Sequence, residues 1–482
     1  MTRETWATRA GFILAAVGSA VGLGNIWRFP WVTAENGGSA FLAVYLGVVL
    51  LVGVPGLLGE FVIGRRSGRN PVGALRDLGG SRSWGYVGLF SAVTALVLLS
   101  FYSVVGGWIL RYAVETGLGL LTGGPAPYFA EPGAYFGGVE SGLDAVAYHV
   151  LFLALTAGIV VGGVRKGIER ATTVMMPAIA VFLVGLALWA STRAGAGEGY
   201  AFLLAFDLDT LRANFFDVLG PAAGQALFTL SLGAGTMVTY ASYLGEDRSL
   251  PFDATTIAVL NTAVGVLAGL VVFPLMFAQG IDPSATGPGP GALFVGLAEA
   301  FATLPAGTLI ATVFFLVVTL AALSSSISML EIPVSILVDE AGVSRPVAVG
   351  GSVVVLVVTG SVLALRPPLF GVVAGPVVDF LLTAGLTVFL LFVGWVLGRE
   401  ATAEFRNGAG DLAASLADPW RLAVGVALPL FLLFTLLTSL GFSAWLTGLG
   451  LPASAGFWAT VAAAAAVVAL AAAGFRRGRA AS

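Results

Sequence analysis

From end to end this chain repeats apolar runs long enough to cross a lipid bilayer, and no other feature restricts its fold as tightly. They fall at about 10–35, 40–64, 86–116, 145–162, 171–190, 218–243, 255–278, 299–335, 346–365, 371–397, 422–441 and 454–475. A hydrocarbon core of about 30 Å takes some 20 apolar residues as a helix, and only a helix satisfies a lone segment's backbone polar groups there. The expectation is an all-α integral membrane protein of about 12 transmembrane helices. Charge agrees: charged residues make up 10% of the chain, against roughly 25% in an average soluble domain.

Several function classes drop out on composition. There is no cysteine and a single histidine, His149, so disulfides, thiolate metal sites and His-based zinc clusters are absent. No nucleophile–base pair or phosphate-binding loop appears, so the chain does not read as an enzyme. The net charge of -3 points to no nucleic-acid partner.

Arginine placement orients the spans. With both termini inside, 18 of the 23 Lys and Arg residues fall in internal segments, among them Arg65, Arg66, Arg165 and Arg399; only Arg193, Arg212 and Arg366 fall in external ones. The positive-inside bias therefore predicts cytoplasmic termini in a plasma (inner) membrane. The expected order is a cytoplasmic segment 1–9, a five-helix repeat over 10–190, and a second, inverted five-helix repeat over 218–397. Two additional spans over 422–475 and a cytoplasmic tail 476–482 follow. Segment 191–217 reads as an extended external connection, and the Gly/Pro-rich segment 279–298 as an external hairpin or lid.

Two spans carry a glycine pattern that a plain membrane helix should avoid. The first holds AVGLGNIWRFP, with Gly22, Gly24, Asn25, Arg28 and Pro30; the sixth holds LFTLSLGAGTMVTYASY, with Gly233 and Gly235 beside Thr229 and Ser231. Glycine lets the backbone leave helical geometry or meet a ligand closely; it also lets helices pack tightly. Interruptions in corresponding halves favour the first reading and point to a binding site between repeats. Asn25, Asn261, Thr229, Ser324 and Ser325 add neutral oxygens at membrane depth. Oxygen ligands without carboxylates suit a monovalent cation better than a divalent one, although a lone Ser or Thr in a span usually bonds its own helix.

The stretch WATRAGFILAAVGSAVGLGNIWRFPWVTAENGGSAFLAVYL closely resembles the first span of the neurotransmitter:sodium symporter family, particularly its prokaryotic amino-acid transporters. LFTLSLGAGTMVTYASYLGED resembles the family's sixth span and AALSSSISMLEIPVSILVDE its eighth. The resemblance implies an inverted 5+5 repeat with unwound first and sixth helices, and a sodium-coupled symporter importing a neutral apolar or aromatic amino acid by alternating access. It implies two Na+ sites. The first would use Ala20, Asn25, Thr229 and Asn261 with the substrate carboxylate; the second would use Gly18, Val21, Ala321, Ser324 and Ser325. The substrate carboxylate would meet the amides of Leu23 and Gly24 and the Tyr102 hydroxyl, and its ammonium would meet Ala20, Phe228, Thr229 and Ser231.

The same resemblance has Leu98, Tyr102, Phe228, Ala234, Ser325 and Met329 lining the side-chain pocket. Gly22 stands where monoamine carriers of the family have aspartate, which favours a substrate bringing its own carboxylate. Arg28 and Asp379 match an external gate; Arg3 and Asp339 match an internal one, with Trp6 and Tyr243 beside it. Tyr45, Gln225 and Thr229 match three chloride-site positions, but Gly265 replaces both the serine of chloride-dependent members and the carboxylate of independent ones, so Cl- dependence stays open. The resemblance also admits a carrier of betaine, taurine or a γ-amino acid, or a non-transporting sensor or structural protein of this fold. Oligomeric state is not legible, because lipid-facing and protein-facing helix surfaces are equally apolar.

Overall fold

The apolar runs form helices throughout. The computed structural model describes residues 5–206, 208–245, 248–283, 291–449 and 452–481, with side chains except those of 291–293, 453 and 476–481. No strand occurs among the described residues. The chain begins with α1 (Arg9–Ala20) and α2 (Gly24–Glu35), two pieces bent by 48°. The spans α3 (Ser39–Ser67), α4 (Arg82–Thr122), α5 (Leu143–Val160) and α6 (Val164–Ala190) follow. Next come a divided pair, α7 (Leu208–Thr229) and α8 (Thr236–Ala241). The spans α9 (Leu250–Ala278), α10 (Gly307–Ala341), α11 (Arg345–Ala364), α12 (Pro367–Leu397), α13 (Ala417–Ser439) and α14 (Ser454–Phe475) complete the order.

Among the described residues, 10 helices are long and apolar enough to cross a membrane, and the bent α1–α2 pair makes 11. The sixth expected span, like the first, is not one continuous helix, because residues 230–235 turn out of helical geometry between α7 and α8. The protein is thus a multi-pass membrane protein. Burial ranks its helices: the most apolar window of α10 is 72% buried against its neighbours, that of α14 only 28%. Leu50, Leu51, Val174, Val181, Val354 and Leu470 stand exposed around the bundle, the surface that lipid tails cover.

Two segments differ from expectation. The run 299–335 is not one helix, since a separate helix Gly291–Thr303 precedes α10. Ala306, at φ 59°, turns the chain between them, and a Cβ on Gly307 would lie 1.8 Å from the Phe301 carbonyl oxygen. The connection 191–217 contains a helix, Ala196–Leu204, and α7 already starts at Leu208. Of the segment 279–298, residues 284–290 lie outside the described residues.

Candidate ion and substrate site

α1 ends because Val21 adopts an extended backbone, φ -77° and ψ 105°, after its amide bonds the Val17 carbonyl at 2.6 Å. Winding resumes as a wide turn over Gly24–Arg28 that runs on through Phe29–Glu35. A Cβ on Gly24 would stand 3.0 Å from the Phe228 ring and 3.2 Å from Thr229 Cα, so this glycine lets the break in the first span lie against the end of α7. The second break carries three left-handed residues, Ser231 (φ 54°), Gly233 (φ 87°) and Gly235 (φ 77°). A Cβ on Gly233 would meet the Leu382 carbonyl oxygen at 2.0 Å, so glycine is required there by both conformation and space.

Four predicted first-site residues converge where the breaks meet, all buried. The Asn25 side-chain nitrogen donates to the Asn261 carbonyl at 2.8 Å and to its Oδ1 at 2.9 Å, while Asn25 Oδ1 accepts from Gly22 N at 3.2 Å. Thr229 Oγ1 lies 3.4 Å from Asn261 Oδ1. That end of the Asn261 amide also faces three acceptors: the Ala20 carbonyl at 3.1 Å, the Thr229 carbonyl at 3.3 Å and Asn25 Oδ1 at 3.3 Å. Two chemistries satisfy so many oxygens in one place. The amide can turn and donate into them, or a cation can gather them; five neutral oxygens suit a hard monovalent ion. Among the described residues no cluster of three or more His, Cys, Asp or Glu could hold a metal ion instead.

The second predicted set is drawn together by hydroxyls of α10. Ser324 Oγ donates to the Val21 carbonyl at 3.1 Å or the Ala321 carbonyl at 2.8 Å, and Ser325 Oγ to the Val21 carbonyl at 3.3 Å. Gly18 sits a turn away on α1, with its Cα close to Thr172 and Met176 of α6.

Around the breaks, Leu98, Tyr102, Phe228, Ala234, Ser325 and Met329 are all buried. Tyr102 Oη accepts from Leu23 N at 3.1 Å, so the predicted carboxylate partners Leu23 and Tyr102 touch each other. A Cβ on Gly22 would lie 2.1 Å from Ser325 Oγ and 2.5 Å from Tyr102 Oη, leaving no room for a side chain there. Ser231 Oγ points to the first span, donating to the Ser19 carbonyl at 3.0 Å.

Above the site, Arg28 Nη2 bonds Asp379 Oδ1 at 3.1 Å, and the guanidinium sits 4.8 Å over the Phe228 ring, a cation–π contact. At the opposite end Trp6 Nε1 donates to the Tyr240 carbonyl at 3.0 Å, and Trp6 and Tyr243 stack edge to face, centroids 6.1 Å apart. Asp339 accepts from Asn70 Nδ2 at 3.1 Å; its expected partner Arg3 lies outside the described residues. The Tyr45 hydroxyl, the Thr262 hydroxyl and Gln225 Oε1 are buried, and Gln225 Nε2 donates to the Gly24 carbonyl at 2.7 Å.

Two carboxylates escaped the sequence reading. Glu60 is fully buried in α3, and its Oε1 accepts from Gly233 N at 2.7 Å, which pins the second break. Glu331, fully buried in α10, accepts from Tyr243 Oη at 2.9 Å and from Arg345. Both had a legible signal, since an ionisable residue inside an apolar span rarely lacks a purpose.

Comparison with known proteins gives a consistent result. The model of the sodium:neurotransmitter symporter family matches residues 3–119 and 140–397. An uncharacterized sodium-dependent transporter of Bacillus subtilis, YhdH, is 36% identical over 449 residues, covering 90% of this chain and 97% of its own. One from Methanocaldococcus jannaschii is 32% identical over 460 residues, covering 90% of this chain and 89% of its own. The crystal structure of MhsT in complex with L-phenylalanine superposes with a TM-score of 0.80 at 38% identity, covering 91% of this chain and all of MhsT.

Proposed function

The chain belongs to the sodium:neurotransmitter symporter family, and on that premise we infer that it is a sodium-coupled amino-acid symporter. Its substrate is a neutral amino acid with an apolar or aromatic side chain, and it works by alternating access from a plasma membrane with both termini in the cytoplasm. The observation that carries this reading is the gathering of the Ala20, Asn25, Thr229 and Asn261 oxygens at the junction of two broken helices. The likeness to MhsT holding L-phenylalanine and to sodium-dependent transporters supports the ion and the substrate class.

In mechanism, Na+ binding at the first site draws the two unwound segments together and leaves one coordination position for the substrate carboxylate. That carboxylate also takes the amides of Leu23 and Gly24 and the Tyr102 hydroxyl, so ion and substrate stabilise each other. A second Na+ at Gly18, Val21, Ala321, Ser324 and Ser325 ties α1 to α10. The apolar lining from Leu98, Phe228, Ala234 and Met329 disfavours a charged substrate side chain, which would be buried without a partner. Arg28 and Asp379 close the external side, and Arg3 and Asp339 with Trp6 and Tyr243 close the cytoplasmic one. The five-helix units 10–190 and 218–397 move against each other around this fixed site.

The test is uptake of radiolabelled leucine, tyrosine, tryptophan and phenylalanine into proteoliposomes, with an inward sodium gradient or with choline. Saturable uptake of at least one in sodium only is expected. Uptake equal in both, or none by folded protein, overturns the reading.

A further inference from the structure

A further buried carboxylate, besides Glu60 and Glu331, belongs to neither ion site nor to either gate described above. Glu169, on the first turns of α6, is 7% exposed, and its side chain lies against the start of α1. Its Oε2 accepts from Ala7 N at 2.9 Å; its Oε1 accepts from Thr8 N at 3.2 Å and from Thr8 Oγ1 at 3.2 Å. The Thr8 hydroxyl in turn accepts from Gly11 N at 2.8 Å as the helix N-cap. One carboxylate thereby takes three donors at the positive end of a helix, where negative charge is favoured. Gly11 makes the approach possible, since a Cβ there would fall 1.8 Å from Glu169 Oε1.

α1 is a separate lever. The break at Val21 and the 48° bend uncouple it from α2, so it can swing at its far end without moving the outer half of the span. One turn beyond Glu169 on the same face of α6, Thr172 packs under Gly18, with a Cβ on Gly18 only 3.1 Å from Thr172 Cγ2. Movement of α1 away from α6 therefore breaks every Glu169 bond together and uncovers the second ion site from the cytoplasm.

We propose that Glu169 is the latch of the cytoplasmic side: a positioning residue that holds α1 on α6 in the occluded state and whose release times the opening. The proposal rests on the symport reading, because a latch has meaning only for a helix that must move. Its consequence is that weakening the latch favours the inward-open state without altering a residue at either ion site.

The chain has no cysteine, so Thr172→Cys provides a single buried reporter beneath Gly18. Alkylation of the introduced thiol by a small maleimide is measured in sodium buffer, with and without leucine or phenylalanine, for the Thr172→Cys parent and with Glu169→Gln or Thr8→Val added. Loss of about one charge-assisted hydrogen bond corresponds to roughly tenfold faster labelling for Glu169→Gln, with a smaller increase for Thr8→Val and slowing by substrate in each. Monodisperse protein that still binds substrate but labels within twofold of the parent overturns the latch. If Glu169→Gln does not fold, Thr8→Val, which removes only the hydroxyl donor, decides alone. Absence of any protection by sodium or substrate in the parent would count against symport itself, while the ratio between variants still tests the latch.

Discussion

Replacing Asn25 by alanine removes a fully buried amide that serves two purposes. Its oxygen accepts from Gly22 N at 3.2 Å within the break, and its nitrogen donates to both the carbonyl and the side chain of Asn261. The variant leaves the Gly22 amide without that acceptor and withdraws one of five oxygens from the first ion site. A buried polar group left unpaired costs about 1–3 kcal/mol. If some 2 kcal/mol of this falls on the sodium-bound state, half-saturation by sodium rises roughly 30-fold. The assay is uptake of a fixed low concentration of labelled substrate against sodium concentration. Asn36→Ala serves as a control, because Asn36 bonds the Val32 carbonyl of its own helix at 2.8 Å, beyond the site. A half-saturation concentration for Asn25→Ala within twofold of the wild type, in folded protein, would refute the first-site assignment.

Three further perturbations probe other parts of the structure. Gly22→Asp drives a side chain into Ser325 Oγ and Tyr102 Oη and sets a carboxylate where the substrate's own should lie; equilibrium binding should fall at least tenfold for neutral amino acids, about 1.4 kcal/mol. Arg28→Gln removes the ion pair with Asp379 and the charge over Phe228; bound substrate should dissociate severalfold faster in a filter assay, a modest effect because Asp379 is 39% exposed. Glu60→Ala strands the Gly233 amide at the second break, and thermal unfolding in detergent should show a loss of about 1–3 kcal/mol.

Much of this architecture was legible in the sequence, for identifiable reasons. The breaks could be read because Gly22, Gly24, Gly233 and Gly235 interrupt runs that otherwise obey membrane-helix composition, and the structure puts left-handed residues at two of them. Asn25 stood out because a buried amide requires partners, while its grouping with Ala20, Thr229 and Asn261 came from the family resemblance alone. Other features were hidden. The helix Gly291–Thr303 and α10 merge into one apolar run in the sequence, since the turn between them is carried by Ala306 rather than by an obvious breaker. Glu60, Glu331 and Glu169 could be seen as charges within or near spans, but Glu60 and Glu169 bond residues 173 and 162 positions away, and Glu331, besides the nearby Arg345, bonds Tyr243 88 positions away. No local pattern announces pairings of that separation; only the packing of α1, α8 and α10 against their neighbours brings them together.

Linkage between ion and substrate at one shared site is the central claim, and equilibrium binding tests it most directly. Binding of labelled phenylalanine or leucine to the purified protein is measured over a range of sodium concentrations, and sodium affinity is measured with and without the amino acid. A jointly built site requires that each ligand tighten the other by the same factor, with amino-acid binding lost in choline. Equal amino-acid affinity in sodium and in choline would contradict it.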